Sequence, residues 1–534
     1  MTAAPTGAAA YDAVVVGAGP NGLVAANYLL DAGWSVLVLE AQPTVGGAVR
    51  HDSEVHPDFV HDTFSAFYPL AAASATIQSF GLEDYGLTWV HAPSVFANPV
   101  HGDQWAVLHR DRHLTAGLME EQHPGDGDAW LQLCADWDRI GDHIIRALLT
   151  PFPPLRAGVG GLLNLPRVGG LTFVKDMLTP VTGVGRNRFG GEGPRILLAG
   201  NAGHADIPLD APGSALMGIL LTMLGQTVGY PVPQGGAGKL TQALAARAEA
   251  LGGQIVCDSE VTDVVVRGGR AVAVRTTDRE YAVGRAVLAD VIAPHLYGRL
   301  LSPDDVPAKI AKGMSTFQLD PGTVKVDWAL DGPVPWRTPL EPGAGTVHIA
   351  DSVTQMSEAL AQVTAGAVPA EPFLLVGQMT TSDPTRSPAG TESLWAYTHV
   401  PHDVAYDAGE EGITGDWGPD DRERFADRMQ ARITKYAPDF ESRIMARRVL
   451  GPREMEQRNA SLVGGALNGG TANLHQQLIF RPVPGMGRAE TGVGGLYLAS
   501  ASAHPGGGVH GAPGMNAARA ALAHHRVRRL LPGR

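Results

Sequence analysis

Cysteine is almost missing from this chain: there are two, Cys134 and Cys257, far apart and in no CxxC pair. That excludes a disulfide framework and a redox dithiol, and it fits a reducing cytoplasm. A basic excess is missing as well. With 41 Lys and Arg against 54 Asp and Glu, the formal charge is -13, which opposes attraction to phosphate backbones and argues against a nucleic-acid partner. Long apolar runs are scarce. The best, "GSALMGILLTMLGQTVGYPV" from Gly213, is broken by Gly218, Gly225 and Gln226 and falls short of the ~20 residues a membrane span needs. It reads as a buried helix or one facing an apolar substrate. The opening "MTAAPTGAAA" has neither the basic nor the apolar region of a signal peptide, and residues 1–10 read as a frayed tail.

Several catalytic signatures are also absent. Neither GxSxG nor HExxH occurs, and "GGAGKL" fails as a phosphate loop because Pro233 and Leu240 stand where Gly and Ser or Thr are required. His204 with Asp206, and His61 with Asp62, lack a third ligand. They read as hydrogen-bonding pairs, and no metal site is expected.

What the chain does have is an ordinary soluble composition, 44% hydrophobic and 18% charged, and 534 residues, enough for two folding units. "YDAVVV", "NGLVAANYLLDAG" and "WSVLVLE" form a strand–helix–strand unit. A second α/β block begins at the helix "GGAGKLTQALAARAEALGG" and continues through "VTDVVV" and "AVAV", with "RGG" as the turn between them. "GGLYLAS" and "MNAARAALAHH" return to strand and helix. Pro- and Gly-rich, irregular stretches lie between these blocks. The expected organisation is therefore a dinucleotide-binding domain from residues 11–90, 230–300 and 490–534, with a second, substrate-binding domain from 91–229 and 301–489.

Gly17, Gly19 and Gly22 spell G-x-G-x-x-G after a strand and at the opening of a helix. Their spacing gives a tight turn, a close backbone approach to a pyrophosphate and close helix–strand packing. Glu40 closes the second strand 18 residues after Gly22, where a carboxylate accepts both ribose hydroxyls and repels a 2′-phosphate. FAD or NAD remains. The doublet Gly46-Gly47, followed by Arg50, reads on its own as a surface turn. Gly506, Gly508 and Gly511 repeat the glycine pattern near the end, but no second strand and no acid follow at the needed distance. The two loops are expected to hold one cofactor from both ends, the second helix aiming its positive end at the ring system.

The set "GAGPNGLVAA…VLE…GGAVR", "PQGGAGKLTQALA", "EVTDVVV" and "GGLYLASASAHPGGGVHGAPGMNAARAAL" resembles the phytoene desaturase-like flavoproteins, which share their fold with flavin amine oxidases. The nearest resemblance is to the branch of pyridine nucleotide-disulfide oxidoreductase domain-containing protein 2 and the desaturase-like carotenoid ketolases. "LLAGNAGHADIPLDAPGSA" and "LHQQLIFRPVPG" are similar to that branch too. The resemblance implies an α/β Rossmann-type FAD-binding domain with a discontinuous α+β substrate domain. It implies FAD held by Gly17, Gly19, Pro20, Asn21, Gly22, Glu40, Ala41, Gly46 and Gly47, with Val261 at the adenine. Gly507, Gly508, Met515 and Asn516 would lie beside the isoalloxazine. The run "SASAHPG" departs from the "GAGTHPG" of the family.

Hydride transfer to a flavin needs orientation rather than a protein nucleophile. Two residues are candidates for further chemistry. Lys325, in "GTVKVDWALDGPVPW", lies on the strand face opposite Val324 and Val326; it either points to solvent or, as the amine oxidase resemblance implies, approaches flavin N5 through a water. His504, before Pro505, is the second. The expected activity is an FAD-dependent desaturation or oxidation of an apolar small molecule, a carotenoid, isoprenoid or natural-product intermediate, passing electrons to oxygen or a quinone. The alternatives are a saturase, an amine oxidase, or a flavin-stabilised carrier. "PFPPLRAGVGGLLNLPRVGGL" points to an apolar cavity opening toward a membrane surface, with the protein otherwise cytoplasmic.

Overall fold

The first strand–helix–strand unit forms where the sequence puts it. Val14 to Val16 and the run Val36–Leu39 alternate between two buried faces, and the helix Pro20–Asp31 starts on a proline after Gly19, whose fixed φ suits a first helical position. The structure is a computed structural model that describes residues 11–100 and 104–530; the N-terminal tail expected over 1–10 lies outside the described residues.

Two seven-stranded sheets organise the molecule. In the first, the order is Val261–Arg267, Arg270–Thr276, Glu280–Ala289, Tyr11–Val16, Val36–Leu39 and Gln254–Val256, and Leu496–Leu498 also pairs with Glu280–Ala289. The strands around Tyr11–Val16 are parallel, and Val261–Thr276 is an antiparallel hairpin turning at Gly268-Gly269. One face packs Ala13 and Val15 against the helices Pro20–Asp31, Gly238–Ala250 and Ala512–Leu530. The other packs Val14, Val16, Leu37 and Leu39 with Val264, Val274 and Leu296. Both faces are covered, as a parallel sheet requires.

The second sheet runs Ile444–Leu450, Gly322–Leu330, Glu392–Val400, Leu374–Gln378, Ala344–Ile349, Ser94–Val100 and Gln104–Leu108. Only the contact between Ala344–Ile349 and Ser94–Val100 is parallel. Val324, Val326 and Trp328 face one way, into a core with Phe425 and Met429 of the helix Pro419–Thr434. Thr323, Lys325 and Asp327 face the other way, together with their cross-strand partners His399, Tyr397 and Trp395. The Pro- and Gly-rich stretch before residue 229 is not irregular. It is a stack of helices including Asp126–Leu149, Glu192–Gly203 and Ser214–Thr227. Glycines promote that stacking: a Cβ at Gly218 would come 2.6 Å from the Leu198 carbonyl. The apolar run from Gly213 is the buried Ser214–Thr227 helix, and among the described residues no helix is long and apolar enough to cross a membrane.

Candidate functional site

The first glycine loop is built by close approach. A Cβ at Gly22 would lie 2.2 Å from the Gly17 carbonyl oxygen, and one at Gly47 would lie 3.0 Å from the Gly19 Cα. The Gly46-Gly47 doublet is therefore no surface turn. It packs on the first loop, and the Gly46 N–H donates to the Ala18 carbonyl at 2.9 Å. Pro20 and Asn21 open the helix beneath it. Glu40 is buried and accepts from the Ala18 N–H at 2.7 Å and the Gln42 N–H at 2.9 Å. Exposed Ala41 lies between them. The Ser259 N–H donates to the Glu40 carbonyl at 2.8 Å, which draws the start of the Val261–Arg267 strand to the same edge.

Asp290 was not legible as a site residue. It follows the Glu280–Ala289 strand, and its Oδ2 accepts from the Gly22 N–H at 2.8 Å. Burial, opposed by that hydrogen bond and reinforced by Glu40, pushes its carboxyl up to about 7. A carboxyl with so high a pKa is partly protonated at neutral pH and carries less negative charge in the cradle. The cradle fits an adenine dinucleotide: a helix start where side chains have no room and a buried acid at the end of the second strand.

The second glycine loop closes on the first. A Cβ at Gly514 would lie 1.9 Å from the Asn21 carbonyl, and one at Gly511 2.8 Å from a Val24 methyl. The helix Ala512–Leu530 thus starts against the start of Pro20–Asp31. Met515 Sδ accepts from Thr76 Oγ1 at 2.9 Å, and Asn516 Nδ2 donates to the Leu149 carbonyl at 3.3 Å. His504 Nε2 lies 2.9 Å from the Thr150 carbonyl, and burial lowers its pKa. A Cβ at Gly508 would meet Leu70 at 2.7 Å, and one at Gly507 would meet Asn468 Oδ1 at 2.7 Å.

Arg481 lies under this loop and is 1% exposed. Its guanidinium donates to the carbonyls of Ala501, Thr471 and Asn468 at 3.1, 3.1 and 2.7 Å. Burial lowers its pKa to about 10, which leaves it cationic.

Lys325 is not a solvent-facing lysine: it is 2% exposed. Its Nζ donates to the Asp62 carbonyl at 3.0 Å and pairs with Asp327. Asp327 Oδ2 also binds Arg448 at 2.8 Å. Burial lowers the lysine pKa despite Asp327. Asp327 lies two residues on along the same face, but the Asp62 carbonyl comes from a distant segment, so alternation alone left the question of burial open. Asp62 pairs instead with Arg386 at 2.9 Å, and Arg386 with Asp383 at 2.8 Å, all buried. Asp206 pairs not with His204 but with His399, at 2.6 Å. Among the described residues no group of His, Cys, Asp and Glu is arranged for a metal ion.

A family model described as an NAD(P)-binding Rossmann-like domain matches residues 15–80. Pyridine nucleotide-disulfide oxidoreductase domain-containing protein 2 of Mus musculus is 28% identical, over 95% of this chain and 92% of the relative. A limonene dehydrogenase polypeptide of Castellaniella defragrans is 24% identical, over 95% of this chain and 94% of the relative. Phytoene desaturases are homologues as well. A wild-type putrescine oxidase structure bound to putrescine shares the fold at a TM-score of 0.59 and 18% identity, covering 97% of this chain and 99% of that chain. The expected Rossmann-type fold and the resemblance to oxidoreductases of this kind both hold.

Proposed function

We propose that the chain is an FAD-dependent oxidoreductase that removes a hydride from a largely apolar small molecule. The observation that carries this reading is the convergence of both glycine loops on one helix, with Gly514 packed against the Asn21 carbonyl. One FAD then lies with its diphosphate at Gly17, Gly19 and Gly22, its ribose at Glu40, its adenine at Val261 and its ring near Gly507, Gly508, Met515 and Asn516. Bound FAD supplies the hydride acceptor. Arg481, cationic and paired only with carbonyls, stabilises negative charge on the reduced ring. His504 would orient groups around the ring, Lys325 would act on the site only through its partners Asp327 and the Asp62 carbonyl, and the second sheet would supply the substrate domain. Oxygen or a quinone takes the electrons onward.

Oxidation of an apolar, non-amine substrate is favoured over amine oxidation by the full-length relatedness to a limonene dehydrogenase, and the saturase and carrier readings are decided by experiment. Anaerobic mixing of the holoprotein with apolar candidates should bleach the flavin. A flavin that stays oxidised with every candidate means a carrier, and one that bleaches only with amines means an amine oxidase.

Access from a lipid surface is part of the proposal. His504 and Asn516 bond the carbonyls of Thr150 and Leu149, and the helices Leu155–Asn164 and Leu171–Leu178 follow immediately. These expose Leu155, Leu162, Leu163 and Leu171 at 73%, 69%, 72% and 82%, beside exposed Arg167, Lys175 and Arg186. Exposed leucines rimmed by cations suit an anionic lipid surface. Sedimentation with phosphatidylglycerol vesicles should carry the protein down, and Leu162→Ser with Leu163→Ser should abolish it.

A further inference from the structure

A row of buried polar groups lies on the face of the second sheet that carries Thr323 and Lys325, one contact away from the second glycine loop. The contact is Asn468: it touches Gly507 and donates from Nδ2 to Asp206 Oδ2 at 2.5 Å. Asp206 Oδ1 in turn lies 2.6 Å from His399 Nε2. Asp206 sits at φ 59°, a left-handed backbone that a non-glycine residue adopts only when its surroundings hold it there. Tyr397 stacks edge-on against the His399 ring, 5.5 Å between centroids. Thr323, the cross-strand partner of His399, is fully buried with its hydroxyl unpartnered.

Simple sheet packing does not account for this row. A face built to hold a hydrocarbon would bury apolar side chains, because a polar group turned toward hydrocarbon without a partner is destabilising. The opposite face of the same strand is built in that apolar way, with Val324, Val326 and Trp328. We propose that Thr323, Tyr397 and the Asp206-held His399 bind the oxygen of an alcohol substrate, so that the molecule oxidised is an apolar alcohol and its product the matching ketone or aldehyde.

This rests on the flavin reading above. In the balanced step the carbinol C–H leaves as a hydride to the bound FAD, the O–H proton passes to His399, and the C–O bond becomes C=O. Burial acts to lower the His399 pKa, but Asp206, then Asp320 and the Gly322 backbone, outweigh it and hold the group above its ordinary value. The other facing groups stay neutral: burial drops His204 to about 3 and pushes the Tyr397 hydroxyl far up. Lys325, two residues from Thr323, is engaged with Asp327.

Menthol, menthone and p-menthane differ only in oxygen and serve as probes. In calorimetry on the FAD-loaded protein, menthol and menthone should bind at least about tenfold tighter than p-menthane, the worth of one good hydrogen bond. Asp206→Asn and Thr323→Val should each erode that preference without changing p-menthane affinity or FAD content. Menthone affinity should fall as pH rises through the His399 titration, and Asp206→Asn should move that limb to lower pH, a shift that a purely structural pair would not produce. Equal affinity for menthol and p-menthane, no binding by either oxygenated probe, or an unaltered preference in both variants would overturn the proposal. Protein that binds menthone with the predicted preference yet carries no FAD would sink the flavin reading and the oxidation with it, leaving only the oxygen-binding role of the row.

Discussion

The two sheets bury charge in opposite ways. Around the cofactor cradle the buried ionisable groups stand alone: Asp290 meets only the Gly22 N–H, and Arg481 meets only carbonyls. Elsewhere they form chains: Lys325–Asp327–Arg448 within the second sheet, and Asp62–Arg386–Asp383 beside it. A buried group without a counterion is costly, while a paired one is costly mainly when its partner is removed. Asp290 and Arg481 therefore lack the internal counterion that the chains provide, although a solitary group can also be completed by the protein, as Glu392 is by the Thr380 and Thr381 N–H groups and the Thr381 hydroxyl.

Arg386→Met should show the largest effect. It strands two buried carboxylates at once, and losing one partner of such a pair costs about 3–5 kcal/mol. Denaturant unfolding of the purified variant would measure it. Lys325→Met should cost less, because Asp327 keeps Arg448. Equal losses in the two variants would break the distinction between the chains.

Arg481→Met should lower unfolding stability, because it leaves the buried carbonyls of Ala501, Thr471, Asn468 and Gly470 without their donor. It should slow flavin reduction by about a hundredfold, from the ~2.7–4 kcal/mol that a preorganised charge contributes. Stopped-flow spectroscopy would read the rate. Glu40→Ala removes charge-assisted hydrogen bonds worth roughly 1.5–3 kcal/mol and should weaken FAD retention about ten- to a hundredfold. Occupancy at limiting FAD is the measure, and no change would reassign the acid.

A further effect is the pH dependence carried by Asp290. Its folded pKa, about 7, lies above its ordinary 3.8. Its contribution to stability is full below the lower value and is lost as pH rises through the higher one. Relative to Asp290→Asn, the wild-type apoprotein should lose stability between about pH 4 and pH 7. FAD should bind more weakly above that range, where an ionised carboxylate faces the diphosphate.

The cradle was the legible part, because G-x-G-x-x-G and the acid 18 residues on are contiguous features of one strand–helix–strand unit. The second glycine loop was legible as a pattern, and its packing against the first through Gly514 and Asn21 was not, because those residues are far apart in the chain. Asp290 was hidden because it reaches Gly22 from 268 residues away. Asp206 and His399 were hidden because Asp206 looks, in sequence, like a partner for His204. The Lys325–Asp327 pair is legible from alternation along one strand, but the Asp62 carbonyl and Arg448 that complete it come from distant segments.

The central claim is that both ends of the chain hold one flavin. Quantitative release of cofactor from the purified protein, with FAD, NAD and NADP resolved by chromatography, tests it directly. The account predicts one FAD per chain and no tightly held nicotinamide dinucleotide; two dinucleotides per chain, or a nicotinamide cofactor in place of FAD, would contradict it.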